Sequence, residues 1–378
     1  VCDPVLLDLA GQVIAYWTSD CLESAYHIFP YRLEALEVFG PPLSQDTMAT
    51  CQARIVLHGE SLIRSDIDIL DPSGRLHMRL QGWWDRRFSM PDRFARVLAD
   101  PLRESLSVAC DEALPPLPGD TLAACTTCDM PSPEFLSAHD RIWERVLAHL
   151  VLGARERRQW QSMSPERQHN WLAGRVAAKD AIRAAVEQLG GAPLFPADIE
   201  ILNDADGMPY AQFLVDDEAL PELRLSLAHS HGVAAAVVAA ANDVAGIGID
   251  AESLRDQKVG FAESAFSPEE RALFESLPEM SRPKAMIQAW CVQEAVAKAL
   301  SSATDQFQRP TVCRLSSAHT PTATVRLPAE ACERLGLADD LHTVRVVSRD
   351  DLIVAAAAFS EAELGAAPIP TPSLRETS

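Results

Sequence analysis

The chain has 378 residues, 47% of them hydrophobic and 23% charged, a balance that fits a folded protein of two domains. A formal net charge of −21 excludes a broad nucleic-acid-binding surface, because a phosphate backbone is held by basic residues. No apolar run reaches the roughly 18 residues of a membrane-spanning helix; the nearest, "GVAAAVVAAA" from Gly232 to Ala241, reads as a buried strand.

The opening "VCDPVLLDLAG" has no initiator Met, no basic leader and no cleavage pattern, which predicts a cytoplasmic chain cut from something longer. Nine Cys, an odd number, predict reduced thiols rather than a disulfide framework. The closest pair, Cys125 and Cys128 in "CTTC", has no second pair at zinc spacing.

In chain order, Leu6, Leu9, Val13 and Trp17 recur at helical spacing. Strand-like segments follow at "TCQARIVLHG", "LIRSDIDILDPSG" and "LHMRLQGWWDRRF", with a hairpin turn at Pro72, Ser73 and Gly74. This predicts an α+β unit over residues 1–112, then a Pro-rich linker at 113–134 without clear periodicity. A second α+β domain is expected at 135–364, with helices over 135–190 and 267–300 and strands over 197–250 and at "RLSSA", "TATVRLP", "HTVRVVS" and "LIVAAAAF". Its two halves would join near residue 243, and residues 365–378 read as a disordered tail.

Against the acidic background, Arg155, Arg157, Arg158, Arg167, Arg175, Lys179 and Arg183 form a cationic region suited to an anionic ligand. In "GIGIDAES", Asp250 and Glu252 lie two apart on one side of a strand end. They are either two solvated acids or hard oxygen ligands for Mg²⁺. Trp290, Glu294 and Lys298 share a helix face, either as a surface ion pair or as half of an active site that adds a third acid and a phosphate contact. In "LSLAHSHG", Ser226, His229 and His231 end a strand; an anion contact is favoured over zinc, since no matching His or Cys group stands at ligand spacing.

The ordered set "WLAGRVAAKDAIR", "DGMPY", "LSLAHSHG", "GIGIDAES" and "WCVQEAVAKAL", over roughly residues 135–360, resembles the larger, Sfp-like class of 4'-phosphopantetheinyl transferases. The resemblance implies a two-halved α+β fold. It assigns Asp250, Glu252 and Glu294 to Mg²⁺, and Lys298 to the pyrophosphate of the substrate coenzyme A. It likewise assigns Arg175 and Lys179 to the nucleotide end, Ser226 and His229 to a phosphate, and Gly207 and Pro209 to a Gly-x-Pro turn. The implied reaction moves phosphopantetheine onto a serine of an acyl carrier protein domain and releases 3',5'-ADP, with Glu294 as candidate general base. Gln293 stands where the family usually has Lys, which implies weaker attraction for phosphates.

"DPVLLDLAGQVIAYW" resembles the second hotdog of polyketide synthase dehydratase domains, with Pro4, Asp8 and Gln12 on its "HPxLLDxxxQ" motif and Asp8 on its catalytic acid. No opposing "HxxxGxxxxP" occurs in this chain, so the resemblance covers a partial double hotdog. Together the two resemblances imply the C-terminal end of an iterative polyketide synthase, enediyne-type or related, whose own carrier domain would be the partner. No nucleic-acid or membrane partner is expected, and a homodimer through the parent synthase is allowed. Two alternatives remain open at this stage: a docking module that has lost its chemistry, and a metallohydrolase using His229, His231, Asp250 and Glu252.

Overall fold

The computed structural model describes the chain except for residues 1–3, 23–25, 45–46, 118–120, 206, 216–219, 231, 255–263, 301–308, 316–320, 330–331, 334–336, 338, 350 and 361–378. The expected tail at 365–378, part of "RLSSA", and His231 therefore lie outside the described residues. Two compact units divide at Ala95/Arg96.

In the first unit, α1 (Pro4–Cys21) packs on an antiparallel sheet of β1 (Tyr26–Val38), β2 (Thr50–His58), β3 (Leu62–Leu70) and β4 (Leu76–Ser89), in the order β1-β4-β3-β2. Strict alternation in β3 turns Ile63, Ile67 and Ile69 inward, where they meet Ala10 and Ile14 of α1 and Met78 and Leu80 of β4. The expected hairpin joins β3 to β4, and Asp71 builds its turn by accepting the Ser73 N–H at 2.8 Å and the Ser73 hydroxyl at 2.6 Å. Sequence reasoning missed β1. Exposed residues dominate both of its faces, and a bulge between Pro30 and Arg32 breaks its register, so no period-2 pattern survives.

The second unit holds two antiparallel sheets. The first comprises β5 (Val108–Ala109), β6 (Ala123–Asp129), β7 (Ile199–Asn203), β8 (Pro209–Phe213), β9 (Leu223–Ser230) and β10 (Val233–Ala240), in the order β5-β6-β10-β9-β8-β7. The second comprises β11 (Gly246–Ser253), β12 (Thr311–Arg314), β13 (Thr322–Arg326), β14 (Leu341–Arg349) and β15 (Leu352–Phe359), in the order β11-β15-β14-β13-β12. Beside α2 (Asp92–Ala99), within which the units divide, the described residues form the helices α3 (Pro133–Val151), α4 (Ala154–Gln161), α5 (Pro165–Gln188), α6 (Pro268–Glu275) and α7 (Arg282–Leu300). Helix α5 packs against β6, β9 and β10, and α7 against β11 and β15. An apolar wall of Cys125, Ala228, Ala235 and Val237 from one sheet and Ile247, Ile249, Val354 and Ala356 from the other closes the space between them.

Two expected boundaries move. The first domain was expected to reach residue 112, yet the chain after Ala95 belongs to the second unit. Arg183 of α5 donates to the carbonyls of Pro101, Leu102 and Glu104, and Asp180 accepts the Ser107 N–H at 3.0 Å, which fastens this segment to α5. The stretch 113–134, expected as linker, instead carries the buried strand β6, whose Thr, Cys and Ala side chains give no polar alternation because both faces are covered. Cys125 and Cys128 stand three apart on that strand and so point to opposite faces.

In the first unit, Asp85 on β4 is 2% exposed and, among the described residues, its Oδ2 has no hydrogen-bond partner; burial, opposed by the nearby Trp83 side chain, lifts its carboxyl from 3.8 to about 6. A carboxyl raised on folding favours the native state below its unfolded value, and that contribution is lost as pH rises through the folded value. Hydrogen exchange at the β3 and β4 amides is therefore expected to quicken between pH of about 4 and about 6, after correction for intrinsic rates, and Asp85→Asn to flatten that dependence.

Candidate active site

The candidate site lies at the seam of the two sheets of the second unit. The Ser226 hydroxyl of β9 accepts the Ile249 N–H of β11 at 3.1 Å, bolting the strands together. Helix α7 then approaches β11 closely, because a Cβ on Gly246 or Gly248 would collide with the carbonyl oxygens of Ala299 and Ala295. The Lys298 ammonium consequently reaches the strand end, donating to the Ile249 carbonyl at 3.0 Å and to Asp250 Oδ1 at 2.8 Å.

Asp250 is 7% exposed, and its second oxygen, Oδ2, is buried with no nitrogen or oxygen donor among the described residues, the Cys291 thiol lying against the carboxylate. Ser230 donates to Glu252 Oε2 at 2.6 Å. Below the two acids, the buried Cys291 thiol is pushed well above its usual pKa by burial first and then by the charges of Asp250 and Glu252. From the other half of the unit, Arg175 stacks on Trp171 at 4.1 Å and donates to the Ile201 carbonyl. His229 has its ring beside Gly174, and its pKa is lowered by the protein packed around it and by the positive charges of Lys298 and Arg175, with Asp250 opposing. His229 thus feels the charges of Arg175, Lys298 and Asp250 at the seam.

The expected three-carboxylate cluster is not assembled. Among the described residues no group of three or more His, Cys, Asp and Glu could hold a metal ion. The cause is the partner that each acid has taken: Lys298 for Asp250, Ser230 for Glu252, and for Glu294 the Arg309 guanidinium at 3.5 Å, which also stacks on Trp290 at 4.4 Å. The column Trp290, Glu294, Lys298 therefore splits, its upper part turned to Arg309 and its last member to Asp250. Asp250 and Glu252, with Asp250 Oδ2 lacking a nitrogen or oxygen donor among the described residues, remain a donor pair of the hard type that Mg²⁺ takes alongside water and phosphate.

Other expected contacts are corrected. Lys179 is 0% exposed and its ammonium binds Glu156 Oε2 at 2.5 Å and the Val151 carbonyl at 2.6 Å; burial, with Glu156 opposing, brings its pKa down to about 8. It braces the interior and does not face a ligand. Ser226 is 4% exposed, with its oxygen committed to the strand bolt rather than presented as a phosphate contact. Gly207 at φ +84° and Pro209 belong to the β7–β8 hairpin turn, where Asp204 accepts the Met208 N–H at 2.8 Å. Asp8 lies exposed on α1 and accepts a hydrogen bond from Gln12 at 2.7 Å. The cationic region is dispersed: Arg183 and Lys179 serve the interior, and Arg157 joins Arg141 and Arg145 around a cavity of about 290 Å³.

Gln293 is 2% exposed on a different face of α7 from Glu294, and donates to Glu270 Oε1 at 2.8 Å and the Pro310 carbonyl at 3.1 Å. Glu270 also accepts the Val312 N–H at 2.8 Å and closes the capping box of α6 with Ser267. The position is an internal tie between α6, α7 and β12, and its side chain is turned to Glu270 and Pro310 rather than to Asp250. Sequence reasoning also missed Glu156, Trp171, Ser230 and Arg309; only Ser230, beside the HxH pattern, carried a visible signal.

A strand-end acid paired to lysine, flanked by histidine and arginine, suits a phosphorylated ligand. The family model of the 4'-phosphopantetheinyl transferase superfamily matches residues 246–357, from the first residue of β11 into β15. The holo-[acyl-carrier-protein] synthase of Shouchella clausii is 41% identical over 88 residues, covering 23% of this chain and 73% of that protein. That of Exiguobacterium sibiricum is 36% identical over 105 residues, covering 28% and 75%. The crystal structure of a holo-(acyl-carrier-protein) synthase from Bacillus anthracis in complex with CoA (3',5'-ADP) aligns at 23% identity and a TM-score of 0.25, covering 32% of this chain and 96% of that one. The chain belongs to the 4'-phosphopantetheinyl transferase superfamily and is an enzyme of that class.

Two substitutions separate interior from ligand roles. Lys179→Met leaves Glu156 buried without its closest cation and is expected to lower stability by about 3 kcal/mol in denaturant unfolding. Gln293→Lys is expected to leave coenzyme A affinity unchanged by calorimetry, because the new ammonium would meet Glu270 rather than the seam.

Proposed function

We propose that this chain transfers the 4'-phosphopantetheine of coenzyme A to a serine hydroxyl of an acyl carrier protein domain, releasing 3',5'-ADP, in an Mg²⁺-dependent reaction. The observation that carries the reading is the buried Asp250, with one oxygen on Lys298 and the other without a nitrogen or oxygen donor among the described residues, at a seam that also holds His229 and Arg175.

Asp250 and Glu252 would hold Mg²⁺, which when bound supplies charge neutralisation for a pyrophosphate. Lys298, anchored by the Ile249 carbonyl and Asp250, would place fixed positive charge beside those acids, where a phosphate would be drawn. His229, neutral near pH 7 because its pKa is lowered, offers a ring N–H to the nucleotide phosphates, and Arg175, held flat on Trp171, adds charge on the same side. Glu294 is the candidate for accepting the proton of the attacking serine; it is 30% exposed, and ligand entry would have to draw it from Arg309. Closing the bond from the serine oxygen to the β-phosphorus while the pyrophosphate bridge opens leaves the negative charge on 3',5'-ADP, on the side of Lys298 and Arg175.

The partner is read as a carrier domain of a polyketide synthase, in the cytoplasm. The first unit, a helix packed on a four-stranded antiparallel sheet, is consistent with half of a dehydratase double hotdog, with Asp8 as its motif acid. Among the described residues no helix is long and apolar enough to cross a membrane.

The test is incubation with coenzyme A, Mg²⁺ and an apo carrier domain, read as the phosphopantetheine mass increment. Asp250→Ala is expected to lower the rate by at least about 100-fold with the circular dichroism unchanged. Turnover that survives both Asp250→Ala and chelation of Mg²⁺ would sink the assignment.

A further inference from the structure

Cys110 and Cys125 face each other at the edge of the first sheet of the second unit. The β5–β6 ladder pairs Val108 with Thr127 and Ala109 with Thr126, and its next step sets Cys110 opposite Cys125. There the Cys110 N–H donates to the Cys125 carbonyl at 2.8 Å. Directly opposed residues of such a hydrogen-bonded pair have Cα atoms about 5.5 Å apart, inside the window of roughly 4.4 to 6.8 Å that a disulfide spans. Both thiols are free, at 0% and 1% exposure. By contrast Cys128 points to the opposite face of β6 and cannot compete for Cys125.

We propose that Cys110 and Cys125 are a modification site, closing to an intramolecular disulfide in the presence of a peroxide. The Cys110 sulfur attacks a peroxide oxygen, the O–O bond breaks, and a sulfenic acid forms as one water leaves. The Cys125 sulfur then displaces the sulfenic oxygen, forming the S–S bond and releasing a second water. Two thiols and one hydrogen peroxide thus give one disulfide and two waters. The two thiols contact each other, and that contact lowers the Cys110 pKa against burial and the Glu112 charge, so Cys110 is assigned the first attack; the product is the same whichever sulfur attacks first. Access comes through β5, a two-residue edge strand whose residues are both exposed.

The bond would act on a brace between the two sheets. Cys110 opens a segment in which Glu112 accepts from Arg349 of β14 at 2.6 Å and the Leu114 carbonyl accepts from Arg345 of the same strand at 3.3 Å. Oxidation fixes that segment to β6 by a covalent bond.

The full-length protein is treated with hydrogen peroxide, alkylated under denaturing conditions and digested without reductant. The expected result is a Cys110–Cys125 linked peptide pair, reversed by dithiothreitol, with a melting temperature raised by about 5 °C. In Cys110→Ser the linked pair and the temperature rise both disappear. Full alkylation of Cys110 and Cys125 at a peroxide dose that oxidises the exposed Cys21, or linkage of either to another cysteine, would overturn the proposal, and the wild-type digest decides this even if the variant folds poorly.

Discussion

How closely α7 can approach β11 sets the rest of the site. Two glycines on the strand face two helix carbonyls, and any side chain there would push the helix outward. Only at this spacing does the Lys298 side chain reach both a backbone carbonyl and Asp250 at hydrogen-bond distance. The ion pair is part-buried, so its attraction is screened less than a surface pair's, and its removal would leave an acid already lacking one partner. Backbone packing, rather than charge alone, places the Lys298–Asp250 pair.

The opposite half is organised by a second buried carboxylate. Glu156 accepts from Lys179, from the Ile201 N–H at 3.0 Å and from the Gly153 N–H, and it lies 3.3 Å from the Arg175 guanidinium. Glu156 caps α4, joins α4 to α5 and β7, and holds the Arg175 side chain whose charge reaches His229. One acid thus turns a cluster of basic residues, which would repel one another, into a framework. Gln293 and Glu270 do the same around α6 with an uncharged donor in place of a cation.

Much of this was legible in the sequence because period and spacing survive folding. The helix from Pro4, the 3.6-residue repeat of α7 and the apolar runs of β10 and β15 fell where expected. Asp250 and Glu252 were found because a strand end brings residues two apart to one side, and Lys298 because it lies four after Glu294. What sequence could not show is which neighbour each polar group chooses. Lys179 and Ser226 have the residue types of ligand contacts, but burial assigns them to Glu156 and Ile249. Glu294 shares a helix face with Lys298, but Arg309, fifteen residues on, sets its partner. Strand β6 was hidden because both of its faces are covered, so its Thr and Cys residues imitate a linker.

The apolar wall between the sheets bears on how long such a chain has to be. Ile247, Ile249, Ala251, Val354 and Ala356 form one side of it, and all lie within residues 246–357, the part matched by the superfamily. A polypeptide made of that part alone would turn those side chains to water, and burial of so contiguous an apolar face would come only from another molecule. Here β6, β9 and β10 provide the cover from within the same chain. The seam where Lys298 meets Asp250 is thereby walled from within one polypeptide.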